Sequence, residues 1–294
     1  MSTRRPTQRP RFAVVGHVEW VDFLEVDHVP VAGEIVQASN AWGEAAGGGA
    51  VAAVQLAKLA GGVTFFTALG SDDLGRRSER QLREQGVEVD AVVRDMPQRR
   101  AVTFLDANGE RTIATMGGRL VPLAGDDLAW ARLAEMDGVY FTGGDTDALR
   151  SARSARTLVV TPRAHDALAG SGVLVDALVR SGRDAGERDE PEAIGYSART
   201  IFTTEGSKGG TYAGAEGRSG SFHAAPLPGP IVDAYGAGDS FAAGLTFGLG
   251  SGLDVDKALA IAARCGAGNL TGRGPYRGQP SAADLGDLVS IVKR

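Results

Sequence analysis

Short apolar runs alternate with segments of helical spacing along the chain, and this alternation restricts the fold more than any other feature of the sequence. The run Phe12–Val15 indicates a buried strand, Ala50–Ala60 repeats Val, Leu and Ala at helical spacing, and Val63–Leu69 indicates a strand again. Strands that alternate with helices in this order form parallel sheets. The sequence therefore predicts an α/β fold, a doubly wound and mainly parallel sheet flanked by helices.

The alternation continues toward the carboxyl terminus. Further strands are predicted at Val21–Val29, Gly138–Thr142, Thr157–Thr161 and Thr200–Thr204, and further helices at Leu74–Gln85, Gly172–Arg180, Asp239–Gly250 and Asp256–Leu270. The segments Ala101–Leu105 and Arg111–Met116 flank an Asn-Gly pair, which favours a hairpin. We expect a tail over residues 1–10 and a single domain over residues 11–294, with lid strands from about 18–40 and 98–118 forming a small β lid.

Composition excludes several classes of protein. The 294 residues include 43% apolar and 23% charged side chains, which is typical of a globular chain with a buried core. A formal net charge of −5 argues against a nucleic-acid partner, and no apolar run reaches the roughly 18 residues of a membrane-spanning helix. Cys265 is the only cysteine, so an internal disulfide and a multi-cysteine metal site are excluded. Because the first ten residues lack the apolar core of a signal peptide, we expect a cytoplasmic protein.

A glycine-rich turn at residues 236–238 separates a strand-like entry, Ile231–Val232, from an apolar helix that begins near Asp239. In such a turn the backbone N–H groups can approach an anion closely, and the helix N-terminus adds the positive end of its dipole, so phosphate is the expected guest. A carboxylate beside phosphate is suited to accept the proton of an attacking hydroxyl. Asp239 is therefore a candidate general base, and the alternative is that it only caps the helix.

The segment Asp233–Asp239 resembles the second signature of the PfkB (ribokinase-like) carbohydrate kinase family, Asp-Thr-x-Gly-Ala-Gly-Asp, with alanine in place of threonine. The resemblance implies that Asp239 is the catalytic base and that Gly236, Ala237 and Gly238 form the anion hole. It also implies ATP as phosphoryl donor, Mg²⁺ at the phosphates, a monovalent cation such as K⁺ beside the Asp233 loop, and a homodimer formed by paired lids.

Other segments extend the resemblance from about Val14 to Gly274. The glycines Gly47, Gly48 and Gly49 resemble the family's substrate loop. The segment 204–209 resembles its Thr-x-Gly-x-x-Gly motif, which implies nucleotide contacts from Thr204, Gly206 and Gly209. Ser181 and Asp184 stand where the family has Asn-x-x-Glu, which implies that Ser181 lies near the nucleotide phosphates and that Asp184 holds magnesium through water.

Residues at the predicted substrate positions differ from those that the family's sugar kinases have there. Val21 and Val51 stand where sugar kinases of the family have an aspartate and an asparagine that hold sugar hydroxyls, so free ribose is expected to be a poor acceptor. Glu19 shares the strand face of Val21 and is the expected compensating contact. Arg163 and His165, which follow a predicted strand, are weaker site candidates.

Together these features predict an ATP-dependent kinase that acts on a hydroxyl of a small sugar, a polyol or a nucleoside. Two alternatives remain: a dedicated nucleoside kinase on the same fold, and a catalytically idle ligand-binding protein.

Overall fold

The computed structural model describes residues 9–214 and 217–290, so most of the predicted tail lies outside the described residues. The strands are β1 (Phe12–Val15), β2 (Glu19–Glu25), β3 (Asn40–Ala46), β4 (Val63–Gly70), β5 (Val87–Arg94), β6 (Arg100–Leu105), β7 (Arg111–Met116), β8 (Gly138–Phe141), β9 (Leu158–Val160), β10 (Leu174–Val175), β11 (Ala177–Ser181), β12 (Ser197–Ala198), β13 (Thr200–Thr204), β14 (Gly210–Gly214) and β15 (Ser219–Phe222). The α-helices are α1 (Gly48–Ala60), α2 (Asp73–Glu84), α3 (Thr146–Ala152), α4 (His165–Leu168), α5 (Ala237–Gly250), α6 (Val255–Asn269) and α7 (Asp287–Ser290). Within the described ranges, none of these helices has the length and apolar character needed to cross a membrane.

Nine strands form the main sheet, in the order β15-β14-β13-β11-β9-β8-β1-β4-β5. Neighbouring strands from β13 to β5 run parallel, and β14 and β15 add an antiparallel edge. This arrangement confirms the predicted α/β fold with a mainly parallel sheet.

Both faces of the main sheet are buried, which explains why its strands are apolar without alternation. In β1, Phe12 and Val14 join the core on the side of α1, α5 and α6, whereas Ala13 and Val15 join the core on the side of α3 and α4. The sheet is therefore a layer between two groups of helices, as in other doubly wound folds.

Helices α5 and α6 pack with their backbones close together. A Cβ on Gly244 would lie 2.8 Å from the Cα of Ala262, and a Cβ on Gly248 would lie 2.6 Å from the Cα of Ala258. Real Cβ atoms do not approach that closely, so only glycine at these positions permits this helix spacing. The packing fixes the direction of α5 and with it the position of the N-terminus of α5.

A second sheet of four strands, in the order β3-β2-β6-β7, stands apart from the main sheet, and we call it the lid sheet. The predicted hairpin is confirmed, because β6 and β7 pair antiparallel across the Asn-Gly turn, where Gly109 has φ +76°. Strand β3 was not predicted, since it begins at Asn40 and has little β propensity of its own. It pairs with β2 along its length, and Gly43 lies against the Trp20 indole.

Two local predictions are wrong. Residues 172–180 form β10 and β11 instead of a helix, because the alternate valines Val173, Val175 and Val179 suit a strand and a short apolar run does not distinguish strand from helix by periodicity. The strand-like entry Ile231–Val232 is an exposed loop with no strand partner among the described residues. Its apolar side chains therefore gave a misleading signal.

Candidate active site

The ends of the parallel strands bring most of the predicted site residues to one edge of the main sheet. Ser181 ends β11 and Thr204 ends β13, and these two residues are register partners. Arg163 follows β9 at the same edge. In open α/β sheets ligands bind at the carboxyl ends of the strands, so this edge is the expected ligand site.

The glycine turn before α5 is shaped to receive an anion. Gly236 is the N-cap of α5 and has φ +82°, a conformation that favours glycine, and a Cβ there would lie 2.9 Å from Cγ1 of Val51. Gly238 has open space where its Cβ would stand. The first N–H groups of a helix have no intrahelical acceptor, and they carry the positive end of the dipole. The turn therefore presents N–H groups to a phosphate from an unobstructed side.

Asp239 stands in the first turn of α5 with its carboxylate beside the glycine loop of α1. Its Oδ1 is 2.8 Å from the position of a Cβ on Gly48. Burial raises the pKa of Asp239 to about 6, against the opposing charges of Arg163 and Arg111. The capping alternative is wrong, because the N-cap is Gly236 and no side chain caps this helix. In the described parts of the chain no donor is bonded to the Asp239 carboxylate, which leaves it available to accept a proton.

The three glycines of the predicted substrate loop have different surroundings. Gly47 has φ +87°, and its N–H donates to Oη of Tyr235 at 3.1 Å. Gly48 faces Asp239, as described above. Gly49 points inward, since a Cβ there would lie 2.6 Å from the carbonyl oxygen of His17. Gly47 and Gly48 therefore border the site, whereas the assignment of Gly49 as a substrate contact is corrected to a packing role.

The two valines assigned to the substrate site lie in the core. Val21 and Val51 are both fully buried, and Val51 supports the Gly236 turn from below. This corrects their assignment, because a side chain without solvent exposure does not line an open site. Glu19 is also buried, but it forms an ion pair with Arg99, its Oε2 2.8 Å from Nε.

Two carboxylates beside Ser181, at the end of the site predicted to bind the nucleotide, are bonded to protein donors. Arg163 places Nε 2.6 Å from Oε1 of Glu187 and Nη2 2.7 Å from Oδ2 of Asp184. The other two oxygens accept backbone N–H groups, Oε2 of Glu187 from Ser181 at 2.8 Å and Oδ1 of Asp184 from Gly186 at 2.9 Å. Asp184 therefore has no unbonded oxygen for a metal. Among residues 9–214 and 217–290, no cluster of three His, Cys, Asp or Glu side chains could hold one.

The turn after β13, which is predicted to contact the nucleotide, is shaped by a side-chain to backbone hydrogen bond and by the backbone conformation of Gly209. The Thr204 hydroxyl donates to the carbonyl of Arg180 at 3.3 Å, and a 3₁₀ turn follows at Gly206–Lys208. Gly209 has φ +83°, and a Cβ there would lie 2.0 Å from the carbonyl oxygen of Phe222. Glycine at this position allows the turn to close against β15.

Sequence reasoning missed several residues that the fold brings to the site. Glu187 was missed because two acids follow Ser181, at the third and sixth positions, and the motif spacing favoured the first. Arg99 and Arg119 gave no signal, since arginine near a strand end is ordinary. Of the weaker candidates, Arg163 is central to the site, whereas His165 is half exposed and faces Asp166.

The fold and the site are those expected of a phosphotransferase, with an open helix N-terminus and an unbonded carboxylate at the carboxyl edge of the sheet. The family described as pfkB family carbohydrate kinase matches residues 9–168 and 184–282, and the chain belongs to this family. It is therefore an ATP-dependent carbohydrate kinase.

Relatives of known name resemble the chain along most of its length. The ATP-dependent ribose-1-phosphate kinase of Halopiger xanaduensis is 30% identical, over 95% of this chain and 98% of that protein. The aminoimidazole riboside kinase of Salmonella typhimurium is 29% identical, over 83% of this chain and 87% of that protein. The Arabidopsis thaliana ribokinase, solved with ribose and ATP, superposes with a TM-score of 0.75 at 20% identity, over 96% of this chain and 99% of that one.

Proposed function

We propose that Asp239 is the general base of phosphoryl transfer from ATP to a sugar hydroxyl. The observation that carries this proposal is the unbonded Asp239 carboxylate, with its raised pKa, beside the anion-binding turn. The acceptor oxygen forms a bond to the γ-phosphorus, the bond from that phosphorus to the β–γ bridging oxygen breaks, and ADP leaves. The hydroxyl proton passes to Asp239, while the N–H groups of Gly236, Ala237 and Gly238 stabilise the charge on the transferred group.

Magnesium is part of the same proposal, as the ion that neutralises charge on the ATP phosphates. Asp184 and Glu187 lie at this end of the site beside Ser181, which contacts the phosphates in this proposal, as Thr204 does. Because all four carboxylate oxygens already accept protein donors, the two acids would hold Mg²⁺ through water, which this ion retains readily.

The Asp233 loop does not fit direct ligation of a monovalent cation by the carboxylate. One oxygen of Asp233 accepts the N–H of Tyr235 at 2.8 Å, and the other accepts the N–H of Gly274 at 2.9 Å. The carboxylate therefore organises the loop that precedes the anion-binding turn, and no step is assigned to K⁺.

We propose that the protein forms a homodimer through the lid sheet, and the exposure of its edge strand β7 supports this proposal. All six residues of β7 are exposed, including Ile113 at 41% and Met116 at 42%. We expect light scattering to give twice the mass of one chain, and Ile113→Asp to give the mass of one chain. A monomeric unsubstituted protein at micromolar concentration would contradict this proposal.

A cytoplasmic location, where ATP is supplied and thiols stay reduced, agrees with the free buried Cys265.

The acceptor is tested by a transfer assay on the whole protein. The assay supplies ATP, Mg²⁺ and, in turn, ribose, fructose, ribose 1-phosphate and aminoimidazole riboside, and it measures ADP together with phosphorylated acceptor. We expect one sugar or sugar phosphate to be phosphorylated with one ADP per product, and free ribose to be inferior to it. ADP release without any phosphorylated acceptor, or nucleotide binding without turnover, would instead favour the idle ligand-binding alternative.

A nucleoside acceptor is less favoured by the lid sheet. Trp20 is buried beneath the guanidinium of Arg77, 4.3 Å from its ring centroid. Trp42 stacks on Phe23 at 5.0 Å and is covered by Arg273 at 3.9 Å. Both indoles are thus occupied by packing partners instead of being open to a heterocycle.

A further inference from the structure

Three arginines from separate parts of the chain lie around His17, next to the glycine loop of α1. Arg99 stands just before β6, Arg119 follows β7 and Arg163 follows β9. Nη1 of Arg119 donates to the backbone carbonyl of Arg163 at 3.0 Å, and Nε of Arg99 lies 2.8 Å from Oε2 of Glu19. Burial, together with the charges of all three arginines, lowers the pKa of His17 to about 3, so this imidazole is neutral at physiological pH.

The nearby carboxylates balance these arginines unequally. Arg163 is held by two acids, Asp184 and Glu187, and Arg99 by one. Within the described residues, no carboxylate lies at ion-pairing distance from Arg119. Burial and the charges of Arg99 and Arg163 lower the pKa of Arg119, whereas the charges of Glu19 and Asp166 act to raise it. Arg119 is therefore the arginine of this group whose charge is not paired with a carboxylate among the described residues.

Buried polar atoms in the same place lack hydrogen-bond partners among the described residues. They are Nδ1 of His17, Oε2 of Glu19 and Nε of Arg99. The Arg99–Glu19 pair is thus close in distance but does not have hydrogen-bond geometry. Buried groups of this kind are normally satisfied, and a ligand or water that completes the network would explain why three unsatisfied ones lie together.

The cluster lies next to the proposed base. A Cβ on Gly47 would be 3.1 Å from Cγ of Glu19 and 3.2 Å from Nε2 of His17, while the following residue, Gly48, faces Asp239. Adjacent Cα atoms are about 3.8 Å apart. One small molecule can therefore contact both the arginine side and the carboxylate of Asp239.

We propose that the acceptor of this kinase is a phosphorylated sugar whose phosphate is bound by Arg99, Arg119 and His17 while one of its hydroxyls faces Asp239. This inference rests on the proposed function. Guanidinium groups bind phosphate through paired, charge-assisted hydrogen bonds. Three donor side chains match the three terminal oxygens of a phosphate ester, whereas a carboxylate offers two. The acceptor phosphate is distinct from the γ-phosphoryl group, which lies on the turn before α5.

The test compares pentose phosphates, the parent pentose and a pentonate, a sugar acid with a carboxylate. Arg119→Gln is the main variant, because no acid is left unpaired by it, and Arg100→Met is the matched control. Arg100 is adjacent to Arg99, but it is half exposed and pairs with Asp22. We expect Arg119→Gln to lower kcat/KM for a pentose phosphate by about 10- to 100-fold with the KM for ATP unchanged. Arg100→Met should leave both values unchanged.

Arg99→Met leaves the buried Glu19 unpaired, so the double variant Glu19→Gln with Arg99→Met is measured beside it. In the absence of ATP, calorimetry should detect pentose phosphate binding by the unsubstituted protein, and weaker binding by Arg119→Gln. Equal use of phosphorylated and parent pentose, a preference for the pentonate, or an unchanged kcat/KM in Arg119→Gln would each overturn the inference. Pentose phosphate binding without any transfer would overturn the proposed function and leave the phosphate site standing.

Discussion

Asp239→Asn is expected to lower kcat by about 10²- to 10⁴-fold, the range that a positioned general base contributes. The variant keeps the size and polarity of the side chain but removes the group that accepts the acceptor's proton. ATP affinity should change little, because the anion-binding N–H groups belong to the backbone of α5. Steady-state kinetics and ATP titration of the purified variant measure the two quantities. Turnover equal to that of the unsubstituted enzyme would contradict the assignment of the base.

The pH dependence provides the control for this variant. With a pKa of about 6, Asp239 is protonated in acid, so kcat/KM of the unsubstituted enzyme should rise with pH up to about 6 and then level off. The asparagine variant should lack this rise.

The same carboxylate also makes protein stability depend on pH. Because the pKa of Asp239 is higher in the folded protein than in the unfolded chain, its protonated form contributes stability that is fully present below about pH 4. This contribution is lost as the pH rises through 6 and the carboxylate ionises. The variant should therefore be more stable at pH 8, by roughly 1–2 kcal/mol after allowance for partial exposure of the side chain.

Gly238→Val is expected to lower ATP affinity and kcat/KM by about 10²-fold or more, since it obstructs the N–H groups that stabilise the transferred phosphoryl group. The space beyond Gly238 is open and its φ is not in the left-handed region, so the protein itself accommodates valine. Glycine is also the poorer helix former. The thermal unfolding midpoint should therefore stay the same or rise while function is lost.

Two further variants serve as controls for Gly238→Val. Gly238→Ala places one methyl group in the same space and should have an intermediate effect. Gly62→Val introduces the same side chain at another glycine with nothing near its Cβ, between α1 and β4, and should leave kinetics unchanged. Normal ATP affinity in a folded Gly238→Val protein would remove the turn from the phosphate site.

The strands of the main sheet and the helices that pack on them were largely predictable, because burial on both faces leaves continuous apolar runs such as Phe12–Val15. The same property made residues 172–180 ambiguous, since an apolar run satisfies strand and helix alike. Strand β3 depends on its pairing with β2 and on the fit of Gly43 beneath Trp20, and neither contact is visible in the local sequence.

The site was predictable where its parts are contiguous. The turn and Asp239 lie within one short motif, whereas Arg99 and Glu19 meet across eighty positions of sequence. Burial is equally nonlocal, and this is why Val21 was assigned to the substrate site although its side chain is enclosed by the core. In this chain the phosphoryl-transfer activity could be predicted from a motif, whereas the arginines that we propose to bind the acceptor could not.

The close packing of Gly244 and Gly248 against α6 has a consequence for the base. A carboxylate that is positioned by a hydrogen-bond donor is thereby also stabilised as an anion and becomes a weaker proton acceptor. Here the position of Asp239 is set by the backbone of its helix, which Gly244 and Gly248 hold against α6, so the carboxylate is placed without that loss of basicity. Substitutions at these two glycines should therefore change the reaction geometry without touching any reacting group, which makes them remote determinants of rate.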